Sequence, residues 1–132
     1  MAEKTGYKHW AAYSKGMQLA TLIQELSFRF PKEEKYSLTD QIRRSSRSVC
    51  ANLAECYGKR RYIRHFRSKL TDAVSENFET QTWLYFALTF GYISEQAHRE
   101  SISLAIEVGK LLTYMEFNPQ RYLAKPFPDQ KR

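Results

Sequence analysis

QIRRSSRSVCANLAECYGKRR, residues 41–61, decides how the rest of the chain is read. Ile42, Ser46, Val49, Leu53 and Cys56 recur at threes and fours, the period of one helix face. Ser45, Ser46, Ser48, Ala51 and Ala54 keep that helix thin, and small side chains let neighbouring helices come close. The segment is therefore read as a tightly packed helix of a bundle, over residues 38–57. Upstream, SLTD at residues 37–40 has capping-box character, with Ser37 as the cap and Asp40 near the positive helix end. Downstream, Gly58 stands where a left-handed helix cap belongs.

Three more helices follow from the same period. The first spans about residues 10–29, with Met17, Ala20, Leu22, Ile23, Leu26 and Phe30 inside and Phe30-Pro31 as its stop. The third runs over about residues 60–90, with Tyr62, Phe66, Leu70, Ala73, Val74, Asn77, Leu84 and Leu88 on its buried side and Gly91 after it. The fourth covers residues 95–117, capped by Ser94, with Ala97, Leu104, Ala105, Val108, Leu111, Leu112 and Met115 inside. No strand-like alternation competes. Short loops between four helices predict an all-α, up-down-up-down four-helix bundle over residues 1–118. Residues 119–132, rich in proline, are expected to form an extended or disordered tail.

Composition agrees with a single domain. The chain has 132 residues, of which 42% are apolar, enough for a core. No apolar run approaches the ~20 residues of a membrane span, and MAEKTGYKHW has no signal-peptide core, so a cytoplasmic protein without membrane contact is expected. Cys50 and Cys56, six apart on one helix, would lie ~9 Å apart, too far for a disulfide, and read as buried thiols.

The formal charge is +7. It is concentrated: residues 43–69 hold nine Lys and Arg against Glu55 alone, a net +8, which leaves the remainder at −1. Lys59, Arg60, Arg61 and Arg64 surround the turn between the second and third helices. Arg67 follows one helical turn later, so that Arg60, Arg64 and Arg67 would share a face, and Arg47 joins the set. Such a stripe can track a phosphate backbone, with binding that weakens steeply with salt. Tyr57, Tyr62 and His65 lie among these charges and could stack on unpaired bases. The competing reading is a solvated basic end, although positive charge at a helix N-terminus is disfavoured by the helix dipole. Arg43 and Arg44 point about 100° apart on their helix. At least one should approach the interior and pair with a carboxylate, Glu79 first and Glu76 second.

In TWLYFALTFGYI, residues 82–93, large apolar groups point in every direction, and a helix apolar all round needs burial on more than one side. Trp83, Tyr85, Phe86 and Phe90, joined by Ile102 and Ile106 from the fourth helix, are read as the interface of a homo-oligomer. The alternative is that the aromatics wrap the bundle end of a monomer.

No catalytic constellation emerges. His9, His65 and His98 are isolated, no glycine-rich loop could cradle a phosphate, and no serine sits in a nucleophile elbow. Glu76 and Glu79 lack the E-x-x-H partner motif of a di-metal bundle. The chain is read as a non-enzyme without metal or cofactor.

LTDQIRRSSRSVCANLAECYGKR resembles the LTxQIRRAAxSIPANIAEGxGR signature of the 23S rRNA intervening-sequence protein family, also called the four-helix bundle protein family. FETQTWLYFALTFGYIS is similar to that family's ELETQLxLAxxLGYLS, and SFRFPKEEKYSLT to its FPxxExxxLT junction. The placing of Trp10 before the first helix agrees too. The resemblance spans about residues 10–117. It implies a bundle assembling as a barrel-like homopentamer, and a relation to accessory proteins of diversity-generating retroelements, which associate with a reverse transcriptase and nucleic acid. Arg43, Arg44, Glu79, Thr80 and Gln81 match family positions and are carried over as bundle-stabilising residues. Cys50 replaces the usual proline and Cys56 the usual glycine. Two functions are thus expected to compete: RNA or other nucleic-acid binding through the basic turn, and a scaffold that docks an acidic or reverse-transcriptase-like protein partner.

Overall fold

A computed structural model describes residues 6–125. Helix α1 covers Ala11–Ser27, α2 Leu38–Gly58, α3 Ile63–Thr89 and α4 Glu95–Phe117. Short 3-10 turns, Gly6–His9, Lys32–Glu34 and Pro119–Arg121, stand before α1, between α1 and α2, and after α4. Among the described residues there is no strand. The helices form a ring in which α1 packs on α2, α2 on α3, α3 on α4 and α4 back on α1, with α2 and α3 the most closely joined.

The core is the inner stripe of each helix. Leu19, Ile23, Ile42, Val49, Leu53, Phe66, Leu70, Leu84, Val108, Leu112 and Met115 are buried there. The small residues act at specific crossings. Ser45 and Thr80 hydroxyls lie 2.8 Å apart where α2 meets α3. A Cβ added at Gly16 would meet Cys50 Sγ at 3.1 Å, so glycine lets α1 approach α2. Gly16 thus takes the inner position that periodicity gives to Met17, which is exposed. Ala51, by contrast, faces solvent, so its small size is not used in packing. Asn77 donates 2.9 Å to the Ala105 carbonyl and fixes α3 against α4.

The helix ends differ from the sequence reading in instructive ways. Ser37 does not cap α2; its hydroxyl donates to Glu34 Oε1, and the Leu38 N–H donates to that same oxygen at 3.1 Å. The carboxylate three residues upstream is charged and reaches further, so it takes the cap. Gly58 is the last residue of α2 and has no positive φ; Gly91, φ +77°, is the left-handed residue after α3. The α2–α3 turn needs no left-handed residue because Lys59–Tyr62 close it with backbone bonds: Lys59 N–H to Cys56 O (3.1 Å) and Tyr62 N–H to Lys59 O (3.2 Å). That turn delays α3 to Ile63 and turns Tyr62 outward, 61% exposed, rather than into the core. Ser94 does cap α4, accepting from the Ala97 N–H at 3.0 Å.

The first residues after α4 are not an extended tail. Pro119 is buried, Tyr122 and Leu123 pack on the core, and the Ala124 N–H donates to Arg60 O at 3.1 Å. Residues 126–132, also read as tail, lie outside the described residues.

Candidate nucleic-acid interface

The N-terminal turn, the α2–α3 turn and the segment after α4 meet at one end of the bundle. Aromatic contacts tie them together. Trp10 lies 5.8 Å from Tyr57, 6.4 Å from Phe66 and 5.7 Å from Tyr122, ring centre to ring centre and edge to face, and Tyr7 adds a 5.9 Å contact with Tyr57. Such pairs contribute about 1 kcal/mol each beyond area burial. With the rings turned inward, the polar ends of the three segments face solvent.

Lys59, Arg61, Arg64 and Arg67 are exposed on this end. Arg60 is half-buried and differently placed. Its Nε donates to Tyr57 O at 2.9 Å and its guanidinium sits 3.6 Å over the Tyr57 ring. Because Arg60 precedes α3, it does not continue the Arg64–Arg67 face as the sequence spacing implied; it clamps the turn. Lys69 is also spent: it pairs with Glu55 (3.1 Å) and Asp72 (3.2 Å), and those bonds raise its pKa. A hollow of about 250 Å³ lies between Lys59, Arg64, His65, Ser68 and Lys69. Tyr62 faces outward beside His65, ring centres 5.6 Å apart, and can stack on a base. Tyr57, enclosed by Tyr7, Trp10 and Arg60, cannot.

The structure adds cations that sequence spacing missed. Lys8, His9, Arg121 and Lys125 are exposed on segments tied to this end by Tyr7, Trp10, Tyr122 and the Ala124–Arg60 bond. The one signal in the sequence was aromatic residues beside them, which carries no information on where they meet. Arg47 falls elsewhere. It lies twelve residues before Lys59, ~18 Å along α2 at 1.5 Å per residue, and bonds Gln24 Oε1 at 2.8 Å. With Asp40, Arg43, Arg44, Ser48 and Ala51 it lines a separate groove.

The paired arginines divide their tasks. Arg44 bonds Glu79 through Nη2 and lies 3.4 Å from Glu76. The pair is exposed rather than interior, so it contributes little to stability. Among the described residues Arg43 meets no carboxylate: its Nε donates to Ser27 Oγ at 2.7 Å and its guanidinium lies 5.0 Å over Phe28. The aromatic stretch also divides. Trp83, Phe86 and Phe90 form a ladder on the side of α3 facing the start of α2, whereas Tyr85 lies on the side facing α4 with Phe78 and Ile106. Ile102 is half-buried against the core rather than displayed.

Burial pushes the Cys50 thiol up to about 11 and the Cys56 thiol up to about 12, so neither is a thiolate nucleophile near neutrality. Among the described residues no three His, Cys, Asp or Glu side chains gather to hold a metal ion, and no helix is long and apolar enough to cross a membrane.

Comparison with known proteins gives matches to a family model and to solved structures. The family model described as 23S rRNA-intervening sequence protein matches residues 8–114. A solved structure of a protein of unknown function from the S23 ribosomal protein family of Bacteroides thetaiotaomicron VPI-5482 superposes with a TM-score of 0.73 at 27% identity, over 80% of this chain and 95% of that one. No curated protein matched.

Proposed function

The chain belongs to the 23S rRNA-intervening sequence protein family, and from that premise we propose that it is a non-enzymatic bundle that binds RNA at its basic end. The observation that carries this reading is that Lys8, Lys59, Arg61, Arg64, Arg67, Arg121 and Lys125, from three chain segments tied to one end of the bundle, are exposed together with an outward tyrosine. A cationic surface of this kind binds phosphate backbones by counterion release, and Tyr62 adds a stacking platform for an unpaired base. Nothing on it resembles a base-reading code, so the recognition is of backbone and shape.

The bundle works as a homo-oligomer, the family resemblance giving five subunits. Phe78, Tyr85 and Ile106, exposed together along the α3–α4 side, support self-association. The second reading is a scaffold whose basic end docks an acidic or reverse-transcriptase-like protein.

The test is a titration of labelled structured RNA across a salt series, with light scattering to hold the oligomeric mass constant. The variant Lys59, Arg60, Arg61 and Arg64→Ala should bind far more weakly, and its log–log salt slope should fall by about 3. Arg47→Ala, on the other surface, should leave the slope unchanged. Generic RNA should compete for an RNA site. No binding at low salt, or a slope that the fourfold variant leaves intact, would overturn the RNA reading in favour of the scaffold.

A further inference from the structure

At the end opposite the basic turn, α3 and the α1–α2 connection enclose a groove of about 430 Å³. Trp83, Phe86 and Phe90 supply the α3 wall; Glu34, Tyr36, Ser37, Leu38 and Gln41 supply the other. The three rings follow one another at 5.9 and 5.6 Å, and Phe86 and Phe90 are 39% and 54% exposed. Elsewhere the chain lays arginines over its own rings: Arg43 over Phe28, Arg60 over Tyr57, Arg121 over Tyr114. Among the described residues no cation lies over Trp83, Phe86 or Phe90, while Lys35 Nζ sits 5.3 Å from the Tyr36 ring on the opposite wall.

The groove also holds a fixed anion. Glu34 accepts from the Ser37 hydroxyl (2.6 Å), the Tyr92 hydroxyl (2.8 Å) and the Leu38 N–H (3.1 Å). All three donors are neutral, and no salt bridge reaches Glu34 among the described residues. An ionised carboxylate offers about four acceptor sites, so one remains. Tyr92, which bonds this carboxylate, lies 5.8 Å from Phe90, so anion and rings adjoin. Uncovered aromatic faces and an unneutralised carboxylate both attract the same thing, an organic cation.

Length narrows the occupant. Trp83 to Phe90 covers ~10 Å of helix, the span of about three residues of extended chain. A planar guanidinium stacks on rings and donates to a carboxylate at once, which a compact ammonium does less well. We propose that this groove binds an arginine-bearing extended segment of a protein partner, its guanidinium stacked on Phe86 and Phe90 and donating to Glu34. The site stands independently of RNA binding at the other end.

The test is an NMR titration with acetyl-Leu-Arg-Leu-amide, following the two indole N–H signals. The Trp83 signal should move and that of Trp10 stay. The citrulline peptide, neutral and of the same shape, should bind about tenfold more weakly. Glu34→Gln, whose amide oxygen still accepts the Leu38 N–H, should weaken the arginine peptide about as much, and Phe86→Ala likewise. The fourfold variant of the basic end should bind it unchanged. Equal binding of the citrulline peptide, indifference to Glu34→Gln, or a still Trp83 signal at millimolar peptide would each overturn the proposal. Guanidinium chloride binding as tightly as the peptide would also overturn it, by showing a site for small cations only.

Discussion

The two ends of the bundle use the same residue types in opposite ways. At the Trp10 end the rings of Trp10, Tyr57, Phe66 and Tyr122 pack edge to face, and arginines and lysines are displayed around the outward Tyr62. At the Trp83 end the rings are displayed, while the carboxylates of Glu34 and Glu79 are held by hydrogen bonds to Ser37, Tyr92, Leu38, Arg44 and Trp83. The difference comes from what closes each end. At the first, the segments before α1 and after α4 fold back and cover the rings. At the second, among the described residues only the α1–α2 and α3–α4 connections are present, and they leave Phe86 and Phe90 of α3 exposed.

This contrast is open to attack, beginning where the effect is largest. Phe66→Ala, at a fully buried ring of the closed end, should cost about 3–5 kcal/mol, and Phe90→Ala at the open end less than about 1 kcal/mol. Urea denaturation of both variants gives the two values, and equal costs would erase the distinction. Glu34→Ala should cost about 1–2 kcal/mol through the lost α2 cap.

That loss should depend on pH. Hydrogen bonds from Ser37, then Tyr92 and Leu38, hold the Glu34 pKa below its ordinary value. The stabilisation is therefore fully present above the unfolded value, ~4.3, and lost as pH falls through the lower folded one. Tyr92 has the opposite sign: chiefly its bond to Glu34 raises its pKa, so its contribution is present below ~10 and lost as pH rises through the folded value. Denaturation of wild type and variant should converge at acid pH.

Ala124→Pro removes one backbone donor to Arg60 and no charge. It should cost about 1 kcal/mol and weaken RNA binding, because the C-terminal segment would no longer hold the turn. Unchanged affinity would mean that the closed end is a lid over the core and not a support for the cations. The smallest effect has the opposite direction. Gly58→Ala should stabilise by about 0.5–1 kcal/mol, since Gly58 is helical and an added Cβ meets nothing within 4 Å. Destabilisation by thermal melting would restore the left-handed cap that the sequence implied.

Much of the fold was legible because it is written in local period. Ile42, Val49 and Leu53, or Val108, Leu112 and Met115, recur at helical spacing and are buried. Gly91 and Ser94 work within one turn of their own positions, so their roles could be read directly. The misreadings share a cause: each depended on a competitor nearby. Ser37 lost the cap to Glu34, Tyr62 left the core because Lys59–Tyr62 formed a turn, and Arg43 found Ser27 and Phe28 where a carboxylate was expected.

The candidate site was legible only in part. Lys59, Arg61, Arg64 and Arg67 cluster within nine residues, so their proximity is a sequence property. Lys8 and Lys125 are more than a hundred residues apart, and Trp10, Tyr57 and Tyr122 bring their segments together only through the packed bundle. By itself the sequence determined four amphipathic helices, their inner stripes and the basic turn, because periodicity, proline, glycine and charge act over a few residues. Only the tertiary structure decided which end is closed and which rings stay bare, because edge-to-face packing and backbone bonds between distant segments exist only once the helices have met.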